Sequence, residues 1–167
     1  MKKLNLDLLL FILPLCFFSC QNNESVYEYD EGMPDSFEFY FGDYTDSFDS
    51  KTNTFKRQYL DTIREIKNVL SYKEKEEIYG FLKKHDFLNL PEKYTDISNV
   101  VIIPSFPETL EFYYKNEHLR IEEQIFKNGK YAENQYKKLV KIYYYIQKKV
   151  LSNEEIQSLP ESNLIML

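Results

Sequence analysis

The sequence predicts an α+β domain: an antiparallel sheet of about four to five strands, in two hairpins, with two main helices packed on one face, in the order β-β-α-β-β-β-α. Three observations carry this. Aromatic residues alternate with polar ones around residues 37–41 and 55–59, the period of a half-buried strand. Two segments carry apolar residues at helical spacing, near residues 72–85 and 133–151. The length, 167 residues with only four Gly, six Pro and two Cys, suits one domain and excludes collagen-like, disulfide-framework and low-complexity classes.

In the first run, Phe37, Phe39 and Phe41 oppose Glu38 and Tyr40. Residues 43–53 are rich in Asp, Ser, Thr and Asn, and read as a turn. A second alternating run, Thr54 to Leu60, is expected to pair with the first as a long hairpin. Ile63 to Leu70 fits either period. We read it as a strand, because a stronger helix start follows at Ser71-Tyr72-Lys73-Glu74, which has capping-box spacing. Ile78, Phe81, Leu82 and His85 then form one helical face, and Lys83 and Lys84 suit the negative end of the helix dipole. Val100 to Ile103, ended by Pro104, reads as an edge or terminal strand. Thr109 to Tyr114 and Leu119 to Phe126 flank a four-residue turn, Lys115 to His118, and Asn128-Gly129 is a turn signal. Glu133 to Leu151 is the clearest helix, with Tyr136, Leu139, Val140, Tyr143, Ile146 and Val150 inward and Tyr144 outward. Ser152 to Glu155 repeats the capping-box spacing before Pro160.

The N-terminus reads as an address. Lys2 and Lys3 precede an apolar run, Leu8 to Phe18, which is too short for a spanning helix of roughly 20 residues. It ends in Phe17-Phe18-Ser19-Cys20. This resembles the lipobox of bacterial lipoproteins, with Phe17 where Leu is usual. The resemblance implies cleavage between Ser19 and Cys20, acylation of Cys20, and anchoring by two or three acyl chains, palmitate among them. On that reading residues 1–19 are a lipoprotein signal peptide, 20–34 a lipidated Cys with a flexible acidic tether, and 35–167 a single α+β domain. Gln21-Asn22-Asn23-Glu24 is faintly similar to the acidic export signal of Bacteroidetes-type surface lipoproteins.

Removing Lys2, Lys3 and Asp7 leaves 19 basic and 26 acidic groups, a net charge of −7. Cys20 is then the sole Cys, so the domain has no disulfide, thiol nucleophile or Cys-metal site. Two His, His85 and His118, stand without metal-ligand or triad spacing. No cofactor-binding motif is present, and an acidic exported chain is a poor nucleic-acid partner. Asp43, Asp46 and Asp49, with Ser47 and Ser50, are the Ca²⁺ candidate, but their spacing is not that of an EF-hand, and an Asp-rich turn using Asx hydrogen bonds is the preferred reading. Residues 21–50 carry nine acids and no base, whereas Lys127 to Lys149 carries seven Lys against Glu133 alone. Lys137, Lys138 and Lys141, with exposed Tyr144, are the candidate binding surface, read against the alternative of a solvated helix face.

Segments along most of the mature chain resemble a group of small Bacteroidetes-type lipoproteins of no established activity: Cys20, Phe39-Tyr40-Phe41-Gly42-Asp43-Tyr44-Thr45-Asp46-Ser47, Leu70-Ser71 with Glu76-Glu77-Ile78-Tyr79, and Leu159-Pro160-Glu161-Ser162. The hairpin-then-helix pattern is also loosely similar to two-repeat inhibitor and assembly-factor modules of the envelope. The expectation is a non-enzymatic binding or accessory domain, lipid-anchored in the cell envelope at a bacterial membrane, the outer one by that resemblance, with an extracytoplasmic protein partner. The alternative is a small carboxylate-dependent hydrolase, with Ca²⁺ at the first hairpin loop.

Overall fold

The computed structural model describes residues 28–90, 92–94, 109–123 and 133–164. The expected strand at 100–103, the turn at 128–129, the lipobox and the side chain of Tyr136 lie outside the described residues or side chains.

The fold is α+β. Strands β1 (Glu38–Gly42), β2 (Asp46–Asp49), β3 (Thr54–Gln58) and β4 (Ile63–Lys67) form an antiparallel meander. Helix α1 (Tyr72–Lys84) follows, then a 3₁₀ turn (Phe87–Asn89) and a two-residue strand β5 (Lys93–Tyr94). The hairpin β6 (Thr109–Tyr114) and β7 (Glu117–Glu123) leads to α2 (Glu133–Leu151) and the short α3 (Glu154–Gln157). The sheet order is β4-β3-β2-β1-β6-β7-β5. Six strands pair antiparallel, and β5 joins the edge in parallel with β7. The count thus exceeds the four to five expected.

The first hairpin differs from expectation. Residues 36–44 do not pair with 54–60; β2 lies between them. Asp43 makes the turn: its Oδ1 accepts from Thr45 N (2.8 Å) and Asp46 N (2.7 Å). The chain then returns as β2, which pairs with β1 on one side and β3 on the other. Phe48, fully buried, supplies the apolar contact that makes the return worthwhile.

Register aligns the apolar face. Phe41 faces Phe48, Phe48 faces Phe55, and Phe55 faces Ile66. Across the other side of β1, Phe39 faces Phe112 and Phe41 faces Leu110. Ile78, Tyr79 and Leu82 of α1 and Leu139, Ile142, Tyr143, Ile146 and Val150 of α2 are buried in the same core. Ile142 joins the expected stripe, while Val140 is only half-buried.

Local chemistry fixes the start of α1. Ser71 accepts from Glu74 N, and Glu74 Oε2 accepts from Ser71 N at 2.8 Å, the capping box in full. Asn53 stands at φ 52°, a region that Asn tolerates, and clasps Leu70: Nδ2 donates to Leu70 O (2.8 Å) and Oδ1 accepts from Leu70 N (3.0 Å). That clasp ties the β2–β3 turn to the helix entrance.

The acidic stretch expected as a flexible tether through residue 34 is docked from Tyr29 onward. The Tyr29 ring packs on Phe87 (5.3 Å between centroids) and Tyr114 (5.6 Å). Its hydroxyl donates to Asp86 Oδ1 (2.9 Å) and accepts from Leu88 N (3.0 Å). Burial is the main cause holding that hydroxyl's pKa far above the usual phenol value. Asp30 N donates to Tyr114 Oη, and Tyr79 Oη donates to Asp30 O. A partly buried aromatic ring that packs against the core and closes two hydrogen bonds offsets the entropy of ordering its segment.

At the other terminus, residues 159–164 strap β3. Pro160 O accepts from Arg57 Nη1 (3.2 Å) and Tyr59 Oη (2.8 Å), and Leu60 N donates to Asn163 Oδ1 (2.9 Å).

Candidate functional site

The helices cover one face of the sheet. Alternation sends the other residues of each strand to the opposite face: Glu38 and Tyr40 on β1, Asp49 on β2, Glu111 and Tyr113 on β6, His118 and Arg120 on β7. With Lys51, the first five of these line an open depression of about 410 Å³. Tyr113 is 37% exposed, so the face meets solvent.

Glu111 is the organising group. It is 8% exposed, an unusual burial for a carboxylate. Three donors satisfy it. Tyr113 Oη donates to Oε2 (2.6 Å), His118 Nε2 lies 3.0 Å from the same oxygen, and Arg120 Nη1 donates to Oε1 (3.0 Å). Register explains the cluster, since Glu111 faces Arg120 and Tyr113 faces His118. The Tyr113 and His118 rings stack at 4.2 Å and 7°. Burial alone raises the Glu111 pKa, but the hydrogen bonds from Tyr113 and His118 and the Arg120 charge outweigh it and hold it below the usual carboxylate value. In return, its hydrogen bond to Glu111, aided by burial, lifts the Tyr113 hydroxyl to about 12.

The rest of the depression is similarly knit. Lys51 Nζ pairs with Glu38 at 3.2 Å. Tyr40 lies along the strand over Gly42: a Cβ at Gly42 would stand 2.5 Å from Tyr40 Oη. Gly42 therefore leaves the space that lets the Tyr40 ring lie flat on the sheet.

The sequence-derived candidates fare differently. Asp43, Asp46 and Asp49 do not converge on a common point for Ca²⁺. Asp43 caps its own turn, Asp46 makes a two-pronged pair with Arg57 (2.8 and 2.7 Å), and Asp49 accepts from Lys51 N (2.8 Å) and Thr52 Oγ1 (3.1 Å). Their oxygens are spent on turns and on Arg57, as the Asx-turn alternative expects. Among the described residues, no group of three or more His, Cys, Asp or Glu is placed to hold a metal ion. On α2, Lys137, Lys141 and Tyr144 are exposed. Lys138 turns inward instead: its Nζ donates to Asp86 O (3.0 Å) and lies 4.0 Å from Asp86 Oδ2. The helix therefore presents Lys137, Lys141 and Tyr144 outward, without Lys138. Cys20 and Ser19 fall outside the described residues. Among the described residues, no helix is long and apolar enough to cross a membrane.

Sequence reasoning missed Glu111, Tyr113 and Arg120. The signal was available: with a tight turn at Lys115-Asn116, the cross-strand partners follow by counting. Reading the turn as four residues shifts that count.

Comparison with known protein families, with curated proteins and with solved structures finds no match.

Proposed function

We propose that this chain is a lipid-anchored lipoprotein of a bacterial envelope whose extracytoplasmic domain is a non-enzymatic binding module that docks a protein partner on the open face of its sheet. The observation that carries the binding role is the depression lined by Tyr40 and Tyr113, with the carboxylates of Glu38, Asp49 and Glu111 against the single charge of Lys51. Exposed Tyr surrounded by fixed charge has the composition of a recognition surface. Arg120 balances Glu111 and Lys51 balances Glu38, so the charge of Asp49 is the one that suits a basic side chain of the partner, seated beside the rings. Glu111 supports binding over acid–base chemistry. A carboxylate held ionised by three donors is a poor proton shuttle near neutral pH. The anchor rests on the lipobox at Cys20.

Photocrosslinking in living cells tests the reading. A crosslinking residue at Tyr40 or Tyr113 is expected to capture one envelope protein, and a Cys20→Ala background is expected to abolish that capture. The same residue at Tyr72, exposed on α1, serves as the reference. Equal capture from Tyr72 and from the sheet face refutes the docking surface.

A further inference from the structure

The docked N-terminal segment meets the lysines of both helices at one end of the domain. Lys83 Nζ donates to the carbonyls of Asp30 (2.9 Å) and Glu31 (3.0 Å). Lys115 pairs with the Asp30 carboxylate at 3.1 Å. Tyr29 and Lys138 both bond to Asp86, so α2 joins the same corner. Beside it, Lys141 Nζ sits 5.9 Å from the centroid of the Phe81 ring, and that ring lies 4.5 Å from His85. His85 is held toward its neutral form first by burial, then by the fields of Lys141, Lys138 and Lys84.

The acids of this corner are Glu28, Asp30, Glu31 and Asp86. Asp30 and Asp86 are set against Lys115 and Lys138. Glu28 and Glu31 are exposed on the segment that leads toward Cys20. Lys84, Lys137 and Lys141 point outward from the two helices. Among the described residues of this corner, three outward ammonium groups stand against the two outward carboxylates of Glu28 and Glu31, an excess of one positive charge.

Chain length supplies the second argument. Only seven residues separate Cys20 from Glu28. Eight Cα steps span at most about 29 Å. Whatever surface holds Cys20 therefore lies within about 29 Å of Glu28, and so within reach of this corner.

We propose that this basic corner, Lys84, Lys137 and Lys141 around the docked Tyr29 segment, rests against the anionic phospholipid surface in which the acylated Cys20 is embedded. The inference rests on the lipoprotein reading above and adds to it which end of the domain faces the lipid. Acyl chains supply attachment, and the lysines supply orientation, because their attraction to anionic headgroups acts only within a Debye length, about 8–10 Å.

The test is lysine acetylation of the full-length protein, isolated from membranes in detergent and reconstituted into vesicles, with each site read by mass spectrometry. Vesicles of phosphatidylcholine alone are compared with vesicles containing about one-third phosphatidylglycerol, where lysines near the surface are strongly attracted. Lys84, Lys137 and Lys141 are expected to react at least about threefold more slowly on the anionic vesicles, and about 0.5 M salt is expected to remove the difference. Lys67 and Lys73 are the references and are expected to react alike on both. A Lys84→Gln, Lys141→Gln protein with an unchanged unfolding midpoint is expected to lose the protection at Lys137. Equal rates on both vesicles with Cys20 acylated overturn the basic corner alone. An unmodified Cys20 in the same spectra overturns the anchor and, with it, this orientation.

Discussion

Glu111→Gln isolates the charge at the centre of the open face while keeping its shape. The carboxylate is 8% exposed and bonded by Tyr113, His118 and Arg120. Hydrogen bonds to a charged group contribute about 1.5–3 kcal/mol each when buried. The side chains of His118 and Arg120 are 45% and 51% exposed, so solvent screens them and their share falls toward the low values of surface pairs. Gln retains the Tyr113 bond in weaker, neutral form. The expected net loss at pH 7 is therefore about 1–2 kcal/mol, a fall in Tm of roughly 3–8 °C for a domain of this size. The pH dependence identifies the cause. The folded pKa of Glu111 is depressed, so its contribution is complete above the unfolded value of about 4.3 and is lost as pH falls through the lower folded value. Urea unfolding followed by circular dichroism at pH 7 and near pH 3 measures both arms. The gap between wild type and Glu111→Gln is expected at pH 7 and is expected to shrink near pH 3. A gap of the same size at both pH values refutes the argument, since it assigns the loss to packing rather than to charge.

Further expectations rest on single contacts. Tyr29→Ala removes a ring wedged between Phe87 and Tyr114 together with two hydrogen bonds, and is expected to cost about 3 kcal/mol or more and to speed amide exchange at Asp30 and Leu88. Unchanged exchange at Leu88 would show that the segment does not dock. Ser71→Ala deletes the capping box and is expected to lower stability by about 1 kcal/mol, read as a shift in denaturant midpoint at constant slope. Gly42→Ala puts a methyl where the Tyr40 hydroxyl end lies; the ring is expected to lift off the strand, raising Tyr40 reactivity toward N-acetylimidazole with little change in stability. No rise in reactivity would mean that Gly42 is not what seats the ring.

Where local chemistry decides the structure, the sequence was readable. Ser71 and Glu74 mark a helix start because both orphan donors find partners within one turn, and α2 runs over the residues its apolar stripe marks out. The strand β2 was not readable. Asp46 to Asp49 holds one strong apolar residue, Phe48, among turn formers, and only the two neighbouring strands make it a strand. Asp43 does form the expected turn, but the chain is back in a strand after three residues rather than eleven. Tyr29 was hidden by the acidic residues around it, since composition averages over a window and a single ring fills a single notch. The open-face cluster depends on register, which a two-residue turn at Lys115-Asn116 sets and a four-residue reading misplaces. The Ca²⁺ candidate fell for a related reason: acids every third residue along a bending chain diverge, and Arg57 stands opposite Asp46.

The sheet order also bears on how the chain reaches its native state. β1 sits between β2, its neighbour in sequence, and β6, from the far half of the chain. The first four strands and α1 assemble from contacts close in sequence, whereas the seam of Phe39 with Phe112 and Phe41 with Leu110 requires closing a long loop. Until β6 arrives, one side of β1 is an open edge of unpaired amides and carbonyls flanked by Phe rings, a template for pairing with another chain. Assembly of that seam, more than the formation of either helix, is what covers this edge of β1.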